Sequence, residues 1–476
     1  MHVAQIPLPT YNQVTKHNLA LMQPMIIQLI KQATFIALDA EFTGLGPKVA
    51  ATRTADIQER YQHMCALAKS HALVAFGLSI FIKTEPASES KSMDGTAATG
   101  GEVNDRERGY KVHNFNFSML SETDYAVSPR SMIFLAENGL DLNQWIMEGI
   151  PYTGGDRLVN EGGRGNPNGI MRSIFKRIMS RQVPVAVHNG FLDLVFLYHS
   201  FYASLPPKLS TFVADLSDMF PGGLFDTKYV SDYMTRERSS FLAYLFRKYE
   251  RDDSRAREET DPSSTQVYST FHIQPRLGLP AIQQKPISET SSSDPQLAYC
   301  EDYAFHGVCK KNMWCGKSHD LDLILDAEEQ RRDSKRRKTQ KRSQDAQDAE
   351  KVAEPGNAQN NVSDNVSETK MPTPSLSTEE TTELSMQSSV GTTKATARAA
   401  KAPENVVQPG EKFHSAYFDA FMTGTIFSHQ LNQHTPEEVE SQAKNKVYLI
   451  GKSIPLIIEK SAFAKFSLEH ERSRAL

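Results

Sequence analysis

Apolar positions fall into two separated blocks, and within each the spacing switches between the two-residue period of strands and the 3.6-residue period of helices. In the first block, residues 11–250, the pattern predicts a helix near 12–31, a strand over 34–39, a helix near 55–69, and strands over 72–82 and 110–117. The polar segment 83–109 between the last two strands reads as a hairpin extension. FLAENGLDLNQWIMEGI (134–150) reads as a helix with its tip, MRSIFKRIMSR (171–181) as a helix, VPVAVHN (183–189) as a buried strand, and FLDLVFLYHSFY (191–202) as a helix that follows at once. The second block begins at FHSAYFDAFMTGTIFSHQL (413–431), which reads as helical, and continues with KVYLIGKSIPLII (446–458), which reads as strand, turn, strand. Strands alternating with helices after a hairpin-like pair predict an α/β domain with a mixed sheet.

Between the blocks the composition changes. Residues 251–295 are charged and rich in Ser and Thr, and 343–410 have almost no aromatic residues and many Ser, Thr, Glu, Gln and Ala. Such a segment buries too little apolar area to offset chain entropy and is expected to be disordered. The last stretch, 411–476, is short for an independent domain and is expected to complete the first. The organisation expected is a catalytic domain in two parts, 1–250 and 411–476. Between them lie a linker at 251–295, a small metal module at 296–322, and a basic cluster with disordered linker over 323–410.

The bulk properties narrow the setting. The chain has 476 residues, 39% of them hydrophobic, and a formal net charge of -4, so any nucleic-acid contact must come from local patches. Three of the four cysteines crowd into 300–315, which favours a metal site in a reducing compartment over a disulfide framework. Neither a signal peptide nor a membrane span is expected.

FIALDAEFTG (35–44) is apolar enough to be core, yet carries Asp39 and Glu41 two residues apart. On a strand both point to one face, roughly 7 Å apart, and they repel unless a cation lies between them. Asp193 opens a helix entered from a buried strand, where the helix N-terminus alone also favours an acid. His414 and Asp419 are five residues apart, about 140° around a helix, so they converge only if His414 precedes the helix. Asp226 in FDTKY is a competing acid, ranked lower as a residue that orients the neighbouring loop or bonds locally to Thr227. His188 and Asn189 read equally as turn residues or substrate contacts.

The ordered set, Asp-x-Glu on a strand, Asp after a strand, and His-x4-Asp at a late helix, resembles the DEDD superfamily of 3′-to-5′ exonucleases in its His-containing form (DEDDh). Within it the resemblance is to the deadenylases typified by the poly(A)-specific ribonuclease and the CCR-associated factor family. FDTKY (225–229), GLDLNQWIMEGIPY (139–152) and NKVYLIG (445–451) resemble family blocks as well. The resemblance implies an RNase H-like mixed sheet flanked by helices and two Mg²⁺ ions, with Mn²⁺ as an alternative. Asp39 would bridge the ions, Glu41 and Asp419 would complete one site, and Asp193 would support the other. His414 is suited to act as general base. The expected substrates are single-stranded RNA 3′ ends with poly(A) or oligo(A) tails, released as nucleoside 5′-monophosphates.

A second signal is CEDYAFHGVCKKNMWCGKSH, in which Cys300, Cys309, Cys315 and His319 have the spacing C-x8-C-x5-C-x3-H. Three thiolates and an imidazole suit a closed tetrahedral Zn²⁺ site, with His306 as a rival ligand out of register. The module resembles CCCH zinc fingers, which bind single-stranded RNA. Tyr303, Phe305 and Trp314 would offer stacking faces or pack around the metal, and Lys310, Lys311 and Lys317 would meet phosphate. RRDSKRRKTQKR (331–342), with eight basic residues and one acid, reads as a nuclear-localisation or nucleic-acid patch. By resemblance to a nuclear member of the family, the expected setting is the nucleus (Cajal body, nucleolus, nuclear speckle). There the work would be trimming of small nuclear and other noncoding RNA 3′ tails alongside nuclear RNA-processing proteins. The alternative is a non-catalytic RNA-binding scaffold that uses the finger and the basic cluster.

Overall fold

Phe35–Phe42 forms the central strand of the sheet because it is apolar on both faces. Ile36, Leu38, Ala40 and Phe42 join one core cluster, Phe35 and Ala37 another. The computed structural model describes residues 10–46, 56–84, 106–155, 166–260, 263–275, 298–311, 314–352 and 415–475. Most of 83–109 and of 343–410 lies outside the described residues. In chain order the strands are β1 (Asn12–Val14), β2 (Phe35–Phe42), β3 (Leu73–Lys83), β4 (Glu107–Ser121), β5 (Ile150–Tyr152), β6 (Val185–Val187), β7 (Leu224–Asp226), β8 (Tyr268–Ile273), β9 (Lys446–Val447) and β10 (Leu456–Ile457).

Their spatial order is β1-β4-β3-β2-β6-β7-β9-β10, with β5 and β8 also pairing β4. β3 is antiparallel to β2 and β4, whereas β6 runs parallel to β2 and β7 parallel to β6. This is the mixed sheet expected for an RNase H-like fold. Helix Pro167–Ser180 leads into β6, and helices Phe191–Phe201 and Leu209–Met219 lie between β6 and β7. Together with Leu19–Gln32 and Ile57–Ser70 they cover the face that bears Ile36 and Leu38. Burying a side chain such as Phe35 or Ile36 contributes about 1.5–3 kcal/mol.

The opposite face is covered by helix Ala416–Gln433, which is buried at every position from Ala416 to Gln430. A helix buried all round requires packing on more than one side; here β2 and β3 lie beneath it and helix Leu242–Glu258 beside it. Two glycines permit the approach. A Cβ on Gly77 of β3 would stand 1.9 Å from the Ala416 carbonyl oxygen, and one on Gly424 would stand 2.1 Å from the Phe81 ring.

The described residues up to Glu328 and from Ser415 onward belong to one compact unit. A second unit, Glu329–Pro409, contributes only its part of helix Leu321–Val352, which carries the basic cluster 331–342. Several boundaries differ from expectation. Residues 12–14 form β1 and the helix starts at Leu19, because Gln13 and its neighbours pair with β4. FLAENGLDLNQWIMEGI divides into helices Pro129–Glu137 and Leu142–Glu148 at Gly139, whose φ of 98° ends the first. The stretch 251–295, read as linker, holds the end of helix Leu242–Glu258 and β8, which pairs with β4 from Glu107 to Val112.

Candidate active site

Asp39 and Glu41 leave β2 on the face covered by helix Ala416–Gln433. Asp39 is paired across the sheet with Gly77 and Glu41 with Ala75. The same Gly77 lets the start of the late helix lie against β3, and Asp419 sits in that helix's first turn. Asp39, Glu41 and Asp419 each offer a carboxylate oxygen, and the three oxygens lie within 4.8 Å of one another. Asp419 is only 7% exposed.

Asp193 is not among the three carboxylates that lie within 4.8 Å of one another, but it couples electrostatically to Asp39 and Glu41. β6 ends at Val187, and the turn into helix Phe191–Phe201 uses Asn189 at φ 56°, a left-handed conformation that Asn tolerates. Asp226, fully buried at the end of β7, locks the turn. Its carboxylate accepts from the backbone N–H of Asn189 at 2.8 Å and Gly190 at 3.3 Å, and from Lys228 and Tyr448 at 3.0 Å each. Burial pushes Asp226 up while those N–H groups pull it back. It therefore orients the loop that carries Asp193, and its local bond goes to Lys228 rather than Thr227.

The electrostatics register the crowding. Burial first, and then the charges of Asp419, Asp193 and Glu41, hold Asp39 well above the usual carboxylate range. Burial, Asp419 and Asp193 do the same to Glu41. Asp193 is pushed to about 7 by burial, with Asp226 and Asp419 adding to it and backbone N–H groups opposing. A cation among these carboxylates would relieve the repulsion, and an all-oxygen donor set suits Mg²⁺ or Mn²⁺. His414 lies outside the described residues; the helix it precedes begins at Ala416. His188 Nδ1 lies 2.9 Å from Thr227 Oγ1, and burial together with Lys228 lowers the ring to about 3, so it is a neutral structural imidazole.

Sequence reasoning missed Gly77, and the only hint was a glycine inside the otherwise bulky strand LVAFGLSIFIK. The sequence also holds no signal that one carboxylate, Asp226, binds both Asn189 and Tyr448, because the three positions are far apart in the chain.

A model of the CAF1 family ribonuclease matches residues 14–166 and 160–427. The chain belongs to the CAF1 ribonuclease family. It is 28% identical over 203 residues to the poly(A)-specific ribonuclease PARN of Xenopus laevis, covering 38% of this chain and 29% of that one. It is 34% identical over 64 residues to the pre-piRNA 3′-exonuclease trimmer of Bombyx mori, covering 13% and 12%. The chain thus spans less than a third of the length of these relatives. The Mg²⁺- and Mn²⁺-bound structure of S. pombe Pop2p aligns over 51% of this chain and 82% of its own, with 16% identity and a TM-score of 0.37.

The CAF1-family unit carries a second cluster. Ligand atoms of Cys300, Cys309, Cys315 and His319 lie within 4.8 Å of one another, and His306 is not among them. Gly307, at φ 68°, ends helix Glu301–His306 and turns the chain back toward Cys309. Tyr303 stacks on His319 with ring centroids 4.5 Å apart, so it packs around the cluster. His319 Nε2 is buried with no hydrogen-bond partner among the described residues, as a ligand nitrogen would be. Three thiols and one imidazole fit Zn²⁺. Trp314 is 89% exposed and Phe305 points outward beneath Arg238, at 4.6 Å. The cluster is docked on the unit: Ser239 Oγ donates to the Phe305 carbonyl at 3.0 Å, and Arg247 grips Asp322 through two bonds of 2.8 Å. Among the described residues no helix is long and apolar enough to cross a membrane.

Proposed function

We propose that this chain is a divalent-cation-dependent 3′-to-5′ exoribonuclease of the deadenylase type, removing nucleotides from RNA 3′ tails and releasing nucleoside 5′-monophosphates. The observation that carries the reading is the meeting of Asp39, Glu41 and Asp419 within 4.8 Å, with Asp193 electrostatically coupled to them, although they come from three distant parts of the chain. The names of the relatives, a poly(A)-specific ribonuclease and a pre-piRNA 3′-exonuclease, support the same reaction class. When bound by Asp39, Glu41, Asp193 and Asp419, two Mg²⁺ or Mn²⁺ ions would stabilise the charge that develops on the phosphate and the leaving oxygen. The chain itself positions the four carboxylates, through Gly77 for Asp419 and through Asp226 for Asp193. His414 is proposed as the general base that takes a proton from the attacking water.

The Cys300, Cys309, Cys315 and His319 cluster is proposed to hold a structural Zn²⁺ and to present Trp314, with Lys310, Lys311 and Lys317, to single-stranded RNA. With the basic run 331–342, the architecture resembles the target of early growth response protein. That resemblance supports a nuclear enzyme, in Cajal bodies and nucleoli, acting on small nuclear and other noncoding RNAs alongside RNA-processing partners. A fusion lacking 331–342 is expected to lose nuclear accumulation, and unchanged accumulation would remove that part of the reading.

The catalytic part is tested directly. The purified chain with Mg²⁺ is expected to shorten 3′-oligoadenylated RNA to adenosine 5′-monophosphate, and the Asp39→Ala plus Glu41→Ala variant is expected to leave the tail intact. Shortening that persists in that variant overturns it.

A further inference from the structure

Beside the acid centre lies a cleft of about 120 Å³, and Glu41 forms part of its lining. Leu140 and the stacked rings of Tyr11 and Tyr417, 3.8 Å between centroids, give it apolar walls. Its polar floor is built by two neighbouring strands. Gln13 of β1 lies opposite Asn116 of β4 in the parallel ladder, and Asn116 Nδ2 donates to Gln13 Oε1 at 2.9 Å.

That bond leaves something over. Asn116 Oδ1 is buried and has no hydrogen-bond partner among the described residues. An amide oxygen buried without a donor is costly to a fold, so its presence at the floor of a cleft points to a ligand that brings the donor. Gln13, whose Oε1 accepts that bond, lines the same cleft and has amide N–H groups of its own to donate. A protein acceptor beside a protein donor complements an amino group beside a ring nitrogen; adenine carries that arrangement on both its edges, N6 with N1 and N6 with N7, whereas cytosine carries it on one, N4 with N3.

We infer that this cleft seats the base of the 3′-terminal nucleotide and that Gln13 and Asn116 read adenine there. Asn116 Oδ1 accepts from the N6 amino group and Gln13 Nε2 donates to the adjoining ring nitrogen. The aromatic pair and Leu140 hold the base by its faces and edges, with a contact that any base could make. The two amides add the discrimination. The inference rests on the exoribonuclease reading, because Glu41 belongs both to the acid centre and to this cleft, which brings the terminal nucleotide to the carboxylates.

The decisive measurement uses binding, so that it does not depend on turnover. Dissociation constants are compared for adenosine 5′-monophosphate and purine riboside 5′-monophosphate, which lacks the 6-amino group. The full-length chain is expected to bind the adenosine compound about ten-fold more tightly, ~1.4 kcal/mol. In Gln13→Ala and in Asn116→Ala the ratio is expected to fall toward one. Equal affinities in the unaltered chain, no binding of either nucleotide, or a preference that survives both substitutions overturns the inference. Hydrolysis of RNAs ending in adenosine or purine riboside separates the two readings. A chain that shows the binding preference but cleaves no RNA refutes the exoribonuclease, and one that cleaves RNA with a preference indifferent to Asn116→Ala refutes only the base-reading pair.

Discussion

The acid centre and the Cys₃His cluster are both groups of metal-ligand type, and they are built in opposite ways. The four residues of the cluster come from one short segment, Cys300 to His319, and one turned helix end at Gly307 suffices to fold them together. The acid centre gathers Asp39, Asp193 and Asp419 from a strand and two helix starts at opposite ends of the chain. Closing a short loop costs little chain entropy, so a local site is written as a spacing. A dispersed site depends on every element that fixes its members, and here those elements include a glycine and a carboxylate that touch no substrate. Burial first, and then the neighbouring carboxylates, raise Asp39, Glu41 and Asp193, and the surrounding fold must hold the acids together against their repulsion.

The contrast can be broken at its strongest point first. Asp419→Asn should lower the exonuclease rate by about three orders of magnitude, several kcal/mol of lost transition-state stabilisation. The cation-free protein should melt no lower than the parent, because a like charge has been removed. A variant that keeps its activity in single-turnover assays would detach Asp419 from the centre.

Gly77→Val comes next, because it tests whether the dispersed site depends on a residue outside it. The new side chain must displace the Ala416 carbonyl, at about 1–3 kcal/mol of stability. A displacement of Asp419 near 1 Å should then cost about 100-fold in rate. Melting temperature and turnover are both expected to fall, and a drop in melting temperature alone would mean that the helix start does not set the acid geometry.

The local cluster should respond differently. Trp314→Ala should weaken binding of single-stranded RNA by about 1–3 kcal/mol if a base stacks there. Cys309→Ser should expose the 298–319 segment to limited proteolysis while cleavage of a short oligoadenylate changes little. Equal loss of cleavage in Cys309→Ser and Asp419→Asn would erase the distinction between the two centres.

The smallest expected effect concerns pH. The folded protein holds protons on Asp39, Glu41 and Asp193 at pH values where the unfolded chain has released them. Stability without cations should therefore be greatest below about 4 for these groups and should decline as pH rises toward 7, where Asp193 ionises. The melting temperature in chelator should be a few degrees lower at pH 7.5 than at pH 5.5, and Mn²⁺ should reverse the trend. A melting temperature in chelator that rises over this interval would contradict the like-charge account of the site.

Much of this was readable in the chain. Short apolar runs identified β2, β3 and β6, because a strand buried on both faces is apolar at nearly every position, and the 3.6-residue period identified the helices. The stretch read as linker concealed β8 because six residues of mixed polarity at the edge of a sheet need no apolar stripe. Residues 12–14 (Asn-Gln-Val) carry no strand pattern of their own, and only pairing with β4 distinguished them as a strand. At the acid centre, residue types and their order, read with the family resemblance, marked Asp39, Glu41, Asp193, His414 and Asp419 as candidates.

The chain's residue pattern also specified the Cys₃His set, since its ligands are neighbours in sequence and their spacing carries the geometry. Tertiary structure alone decided that Gly77 admits the Asp419 helix, that Asp226 braces the turn before Asp193, and that Gln13 and Asn116 meet beside Glu41. Those are contacts between elements far apart in the chain. No local period or spacing encodes them, because they arise only when the two core faces of β2 are both filled and the helices are forced to their closest approach.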